Sequence, residues 1–325
     1  NQVTLNVTTQ KGVDTQFTSA DLTLSLDDFS QRIINPAMAV LAAAIEADAF
    51  AMALDIYNAV NNVGSAITFK NTLQARKILN DNLAPMDGQR SVILNTQDNV
   101  DLVDALKGLF QDSSEIKAQY RDGVMGHTAG FEFSENTLLP SQTTGTALSA
   151  TTYTVNGANQ TGSAVTVATG STTFKKGDVV NLAGCNSVHP ETKVSTGILQ
   201  QFVVTADYAG GGGNLAISPA IVTSGATQNV SGSPTNGGAV TKIGGASAIY
   251  KPSLAFHKDA FTLAMVPLYQ PPARGVLSSE QMSHNGFMLR VVQFYDGVND
   301  NCIFRIDVLF GWAATYPELA CKLVA

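Results

Sequence analysis

A chain of 325 residues, 44% hydrophobic and 14% charged, has room for two or three domains with sizeable cores. Its net charge of −7 is unevenly spread: residues 1–140 hold nine Lys/Arg against seventeen Asp/Glu, residues 141–244 four against three, and residues 245–325 six against six. No stretch gathers the cations that a direct grip on nucleic acid depends on, and Cys185, Cys302 and Cys321 are too few and too scattered for a disulfide framework or a thiolate zinc site.

Residues 1–24 alternate at period two through Val3, Leu5, Val7, Leu22 and Leu24, with a break at Lys11-Gly12. They read as extended arms that need a partner strand from elsewhere. Ser25–Asn62 then reads as one long helix: Ser25 caps it, Asp27 and Asp28 suit its first turn, and nine of the seventeen residues from Ala37 to Ala53 are alanine. At 100° per residue, Ile34, Met38, Leu41, Ile45, Met52 and Ile56 form one apolar stripe. Phe29, Ile33, Val40, Phe50, Leu54 and Tyr57 form a second, so the helix is expected to lie between two layers. Pro36 lacks the N–H that would bond back to Arg32 and should bend or interrupt it. Glu46 and Asp48 cut the apolar run short of the ~20 residues a bilayer needs. With no secretory signal either, a cytoplasmic origin is expected.

A short helix is expected over Leu73–Leu83 and a turn at Pro85–Gly88. A buried strand follows at Ser91–Leu94, then a helix capped by Asn95 or Thr96 and carrying Val100, Val103, Leu106 and Phe110. Tyr120–Phe133 reads as strands bent at Gly123, Gly126 and Gly130. After Pro140 the composition changes: 44 of the 104 residues from Ser141 to Gly244 are Gly, Ser or Thr, and none is arginine. Short β-like runs recur at Tyr153–Val155, Val165–Val167, Val179–Leu182, Gln201–Thr205 and Leu215–Ile217. This predicts a separate all-β module, a small barrel or sandwich, inserted into a parent domain. The parent resumes near Tyr250, with strands at Leu263–Val266, Phe287–Phe294 and Cys302–Phe310. On the last, Phe304, Ile306, Val308 and Phe310 face one way while Arg305 and Asp307 share the other face, where they can pair with each other or with a neighbouring subunit.

Motifs that carry chemistry are missing. His127, His189, His257 and His284 are isolated, Gly245–Ile249 stops one residue short of a nucleophile elbow, and no phosphate or dinucleotide loop occurs. Neighbouring side chains in His257-Lys258-Asp259 do not face one another. No enzyme activity, cofactor or metal site is expected.

Four stretches carry a family resemblance: Phe17–Phe29 leading into the long helix, Gly123–Phe133, Leu254–Phe261, and Phe304–Gly311 with Tyr316–Ala320. Through them the chain resembles the major capsid proteins of tailed bacteriophages, in particular the coat-protein family of Salmonella phage P-twenty-two. The resemblance implies an α+β, HK-ninety-seven-type capsid fold with an inserted all-β domain. It assigns 1–24 to the returning strand of the E-loop, 25–65 to the P-domain spine helix, 66–140 to the first part of the A-domain, 141–244 to the insertion, and 245–325 to closing A- and P-domain strands. In the family an N-terminal arm and an outgoing E-loop strand precede the point where residue 1 stands. The implied function is self-assembly into an icosahedral shell around double-stranded DNA, in the virion, after synthesis in the host cytoplasm. Implied partners are copies of the chain in hexamers and pentamers, scaffolding protein and a portal, with no sequence-specific DNA binding and no membrane. Pro36, Ile45, Arg305, Asp307, Trp312 and Glu318 are taken as structural or interface positions. The competing readings are a tube or decoration protein of the virion, or a carbohydrate-binding protein acting through the 141–244 module.

Overall fold

The computed structural model describes residues 3–18, 35–106, 126–272, 276–284 and 287–325. The expected features at Ser25–Ile34, Phe110 and Gly123 lie outside these residues.

In chain order the elements begin with β1 (Thr9–Thr18), α1 (Asn35–Ala51), β2 (Ala59–Asn61), α2 (Phe69–Asp81), β3 (Arg90–Leu94), α3 (Thr96–Leu106), β4 (His127–Thr128), β5 (Phe131–Glu135) and β6 (Gln142–Thr143). Next come β7 (Ala150–Thr154), β8 (Gly162–Val167), β9 (Val179–Val188), β10 (Ser195–Val204), β11 (Gly213–Ile221) and β12 (Ala239–Lys242). The last are β13 (Ile249–Tyr250), β14 (Ser253–His257), β15 (Phe261–Met265), β16 (Ser278–His284), β17 (Phe287–Asp296), β18 (Asn301–Ala314) and β19 (Ala320–Val324). Two compact units contain them. One comprises Gln2–Phe50 and Thr262–Ala313, the other Asn1, Ala51–Phe261 and Ala314–Ala325.

The first unit is a sheet with a helix on it. Its strands run in the order β1-β18-β17-β16, and β15 also pairs with β18. Strict alternation on β18 sends Phe304, Ile306, Val308 and Phe310 to one face, where Met38, Leu41 and Ile45 of α1 meet them in a single apolar cluster. Ile45 is 3% exposed there, a burial that contributes roughly 1.5–3 kcal/mol. The second stripe of α1 is not covered along its whole length: Phe50 is buried, but Val40 is 63% exposed. The helix is also shorter than its alanine content predicts. It gives way to a 3-10 turn at Met52–Asp55 and then to strand β2. Tertiary pairing overrides propensity at that end, because Asn58 Nδ2 donates to Glu318 O and Ala320 O while Ala59 to Asn61 pair in parallel with Lys322 to Val324 of β19. The bend expected at Pro36 depends on Arg32, which is not among the described residues.

The second unit is built on a six-stranded sheet in the order β2-β19-β14-β3-β5-β4, with α2 and α3 packed near it around Ala75, Leu79, Val92, Leu102 and Phe131. Asn95, not Thr96, caps α3, its Oδ1 accepting from Asp98 N at 2.8 Å. The β4–β5 hairpin turns through Ala129 and Gly130 at φ 52° and 76°, a two-residue turn with both centres left-handed.

Residues 141–244 of this unit form a barrel with its own core. Six strands pair antiparallel in the order β7-β12-β9-β10-β11-β8, and a bridge from Val155 to Val167 closes the ring. Tyr153, Phe174, Val180, Phe202 and Leu215 fill the interior. The short pair β6–β13 forms the neck where the chain enters and leaves. β9 and β10 run well past the apolar runs that mark them in the sequence, because Ser195–Leu199 is exposed and has no buried face to alternate against.

Candidate functional site

Three features gather the chemistry of the molecule: a carboxylate that ties strands together, a charged cluster where the barrel joins the sheet, and two clefts.

Asp307 lies on the face of β18 opposite the helix, and it is fully buried. Arg290 of β17 grips it with a fork, Nε to Oδ1 at 2.9 Å and Nη2 to Oδ2 at 2.5 Å. Arg305 Nε donates at 3.1 Å and Gln10 Nε2 of β1 at 2.8 Å. Gly12 stands directly opposite on β1, where a Cβ would come within 2.9 Å of Asp307 Cβ. Burial pushes the carboxyl pKa up, but the hydrogen bonds from Arg290, Arg305 and Gln10 outweigh it and hold Asp307 below the usual carboxylate range. One charge thus joins β1, β17 and β18. The Arg305–Asp307 pair was legible from spacing; Arg290 and Gln10 were not, because strand register brings them in.

Of the other positions singled out in the sequence, Ile45 and Trp312 share the apolar cluster, and the buried Trp312 Nε1 has no hydrogen-bond partner. Pro36 is exposed in the first described turn of α1. Glu318 lies in the other unit, where its carbonyl accepts from Asn58 Nδ2 and from Asn82 Nδ2 at 3.1 Å.

The joint of the barrel holds three buried charged side chains that sequence reasoning missed: Asp178 at 0% exposure, Lys242 at 4% and Lys322 at 1%. Asp178 accepts from Gly145 N and Lys175 N at 3.0 Å and from Gln142 Nε2 at 3.4 Å. Lys242 Nζ donates to Gly145 O and Gly245 O, both at 2.9 Å. Lys322 Nζ, reaching out from β19, donates to Gly177 O at 3.1 Å. Burial lowers the pKa of Lys322 to about 8, against the opposing pull of Asp178 and Asp55. The signal was a lone lysine in the apolar run Leu319–Ala325, together with the Lys175-Lys176-Gly177-Asp178 turn.

Nothing in these clusters is arranged for catalysis. His257 is fully buried, Nε2 lying 3.1 Å from Asp87 Oδ1 and Nδ1 accepting from Asp259 N at 3.3 Å, which pins the end of β14. Among the described residues no three His, Cys, Asp or Glu side chains gather as a metal site. A cleft of about 380 Å³ lies between α2 and the β9–β10 hairpin, lined by Asn58, Asn82, Ile198 and Gln201 among others. An apolar groove of about 290 Å³ runs beside Met38, Ala42, Phe287 and Leu289. By length and composition Pro36–Asp55 passes as a membrane span, yet its Leu41 and Ile45 are buried against the sheet.

A family model described as "P22 coat protein - gene protein 5" matches residues 1–323. Among solved structures, a chain from Mycobacterium phage Che8 aligns at 12% identity and a TM-score of 0.47, covering 98% of this chain and 71% of its own. A chain from the capsid of cyanophage P-SCSP1u aligns at 12% identity and 0.45, covering 100% and 77%. One from the mature capsid of bacteriophage PhiM1 aligns at 10% identity and 0.36, covering 99% and 72%. No curated protein sequence matches.

Proposed function

Since this chain belongs to the P22 coat protein family and is thus a major capsid protein that builds a phage shell from copies of itself, we propose that it builds an icosahedral shell of the HK-ninety-seven type. The family match over residues 1–323 carries the reading. In it, α1 is the strut of the P-domain, residues 25–65. Residues 1–24 are the returning E-loop strand, 66–140 with 245–325 supply the A-domain and the closing strands, and 141–244 is the inserted domain. The helix packed on β17 and β18, and a barrel with a core of its own, support these assignments.

A shell gains its strength from many repeated modest contacts between identical subunits, so a deep ligand pocket is not required. Hexamers and pentamers of the chain are its building blocks, and scaffolding protein and a portal are its partners in assembly. The enclosed double-stranded DNA is held without sequence recognition, in keeping with a sequence in which no stretch gathers cations. Electron cryomicroscopy of the chain co-expressed with its phage's scaffolding protein tests the proposal. Closed icosahedral shells with hexameric and pentameric capsomers are expected, and open tubes as the sole product would overturn it.

A further inference from the structure

We propose that the Asp178–Lys242–Lys322 cluster makes the joint between the barrel and the six-stranded sheet a proton-linked clasp, tight when Lys322 is a neutral amine and loosened when it is an ammonium. The inference rests on geometry that the shell function does not use. Lys322 stands in β19 between β2 and β14, and its side chain is 1% exposed. It ends on Gly177 O, the acceptor found for it among the described residues, and that carbonyl belongs to the barrel. The same turn is fixed within the barrel, Gly177 N donating to Val204 O at 2.9 Å.

The charges around this contact do not balance. Two buried ammonium groups, Lys242 and Lys322, face one buried carboxylate, and the hydrogen bonds found for Asp178 come from Gly145, Lys175 and Gln142 rather than from either lysine. Asp55, the other acid facing Lys322, is engaged by Lys176 at 3.0 Å. Tyr250 and Cys321 also face the cluster, but burial pushes both of their pKa values up, so neither contributes charge near neutral pH. An excess buried positive charge is costly in a low-dielectric joint, and shedding the Lys322 proton removes that cost.

Opening the joint would return Lys322 to water and to its ordinary basicity, so docking and proton release are linked. The barrel can respond as a body because its core is closed. Gln201 pairs with the backbone of Ala59 at 2.7 and 2.9 Å, Lys176 pairs with Asp55, and a small apolar cluster joins Ala59, Val179, Ile243, Tyr250 and Val324.

Amide hydrogen exchange of the full chain at pH 7 and pH 9, corrected for intrinsic rates, tests the clasp. The readout is the peptides covering 142–148, 175–178 and 320–324, with 214–217 in the barrel core as a control for folding. With Lys322 titrating near 8 when docked and near its ordinary value when released, opening of the joint should fall on the order of tenfold from pH 7 to pH 9. Lys322→Met should hold the joint closed at both values, abolishing the dependence. Lys322→Arg, charged throughout, should leave the joint at both pH values at least as loose as the wild type at pH 7 while the control stays protected; should the arginine chain fail to fold, the wild-type and methionine results decide. A wild-type joint with equal protection at the two pH values, or a pH dependence that survives in Lys322→Met, would overturn the proposal.

Discussion

Asp98 and Asp307 are both buried carboxylates, yet their surroundings push them in opposite directions. Asp98, at the start of α3, is raised to about 6 by burial, and the hydrogen bond from Ser253 Oγ only partly offsets this. A folded-state value above the unfolded one means that its contribution is fully present below the unfolded pKa and is lost as pH rises through about 6. Asp98→Asn should therefore stabilise the chain at pH 7.5 by about 2 kcal/mol and flatten the dependence of Tm on pH between 4 and 6.5. Unchanged slopes in thermal melts would show that Asp98 is not buried as described. Asp307 is held low, so its contribution is present above the unfolded carboxylate range and is lost as pH falls below it. Asp307→Asn leaves Arg290 without its carboxylate and Arg305 with only Asp14, 3.3 Å away, and should cost about 3 kcal/mol in urea denaturation at pH 7. A cost under 1 kcal/mol would mean that the arginines find other partners.

Among the elements, β18 organises the most structure. The chain before β1 follows it so closely that a Cβ on Gly311 would lie 2.0 Å from Asn6 O and 3.0 Å from Val7 Cα. Gly311→Ala should push residues 6–7 off the strand, and limited proteolysis should then cut near Asn6 at least several times faster than in the wild type. Equal cutting would mean that this segment is already detached in solution. β18 was legible in the sequence because its two faces differ so sharply: Phe304, Ile306, Val308 and Phe310 against Arg305 and Asp307. The end of α1 was not, because the residues that stop it, Asn58 and Ala59, are recruited by β19 some 260 positions later. β12 was missed for a similar reason. Ala239–Lys242 is only four residues long and is held by neighbours on both sides, β7 and β9, rather than by any pattern of its own. Lys322 escaped notice because a strand becomes dry on both edges only when its partners are in place.

At the scale of the molecule, the separation of cores lets folding and assembly be distinguished. The apolar cluster under α1 draws on Met38, Leu41, Ile45, Leu289, Ile306, Val308 and Phe310, whereas the barrel core lies wholly within residues 147–240. The barrel core falls inside the stretch after Pro140 where the composition changes, and the family resemblance gave the chain its place in a shell. The barrel's closure and its charged joint depend on distant pairings that composition does not encode. Ile45→Asp puts a carboxylate with no partner at 3% exposure into the first core, a change that costs several kcal/mol and that the helix cannot relieve without leaving the sheet. The helix and strands of that unit should then fail to pack, and no shells should form. The barrel shares none of that core, so amides in Val179–Leu182 and Phe202–Val204 should keep their protection in the same protein. Electron microscopy and hydrogen exchange on one preparation check both halves. Normal shells would show that Ile45 is not buried against β17 and β18, and loss of barrel protection would show that the two cores do not fold independently.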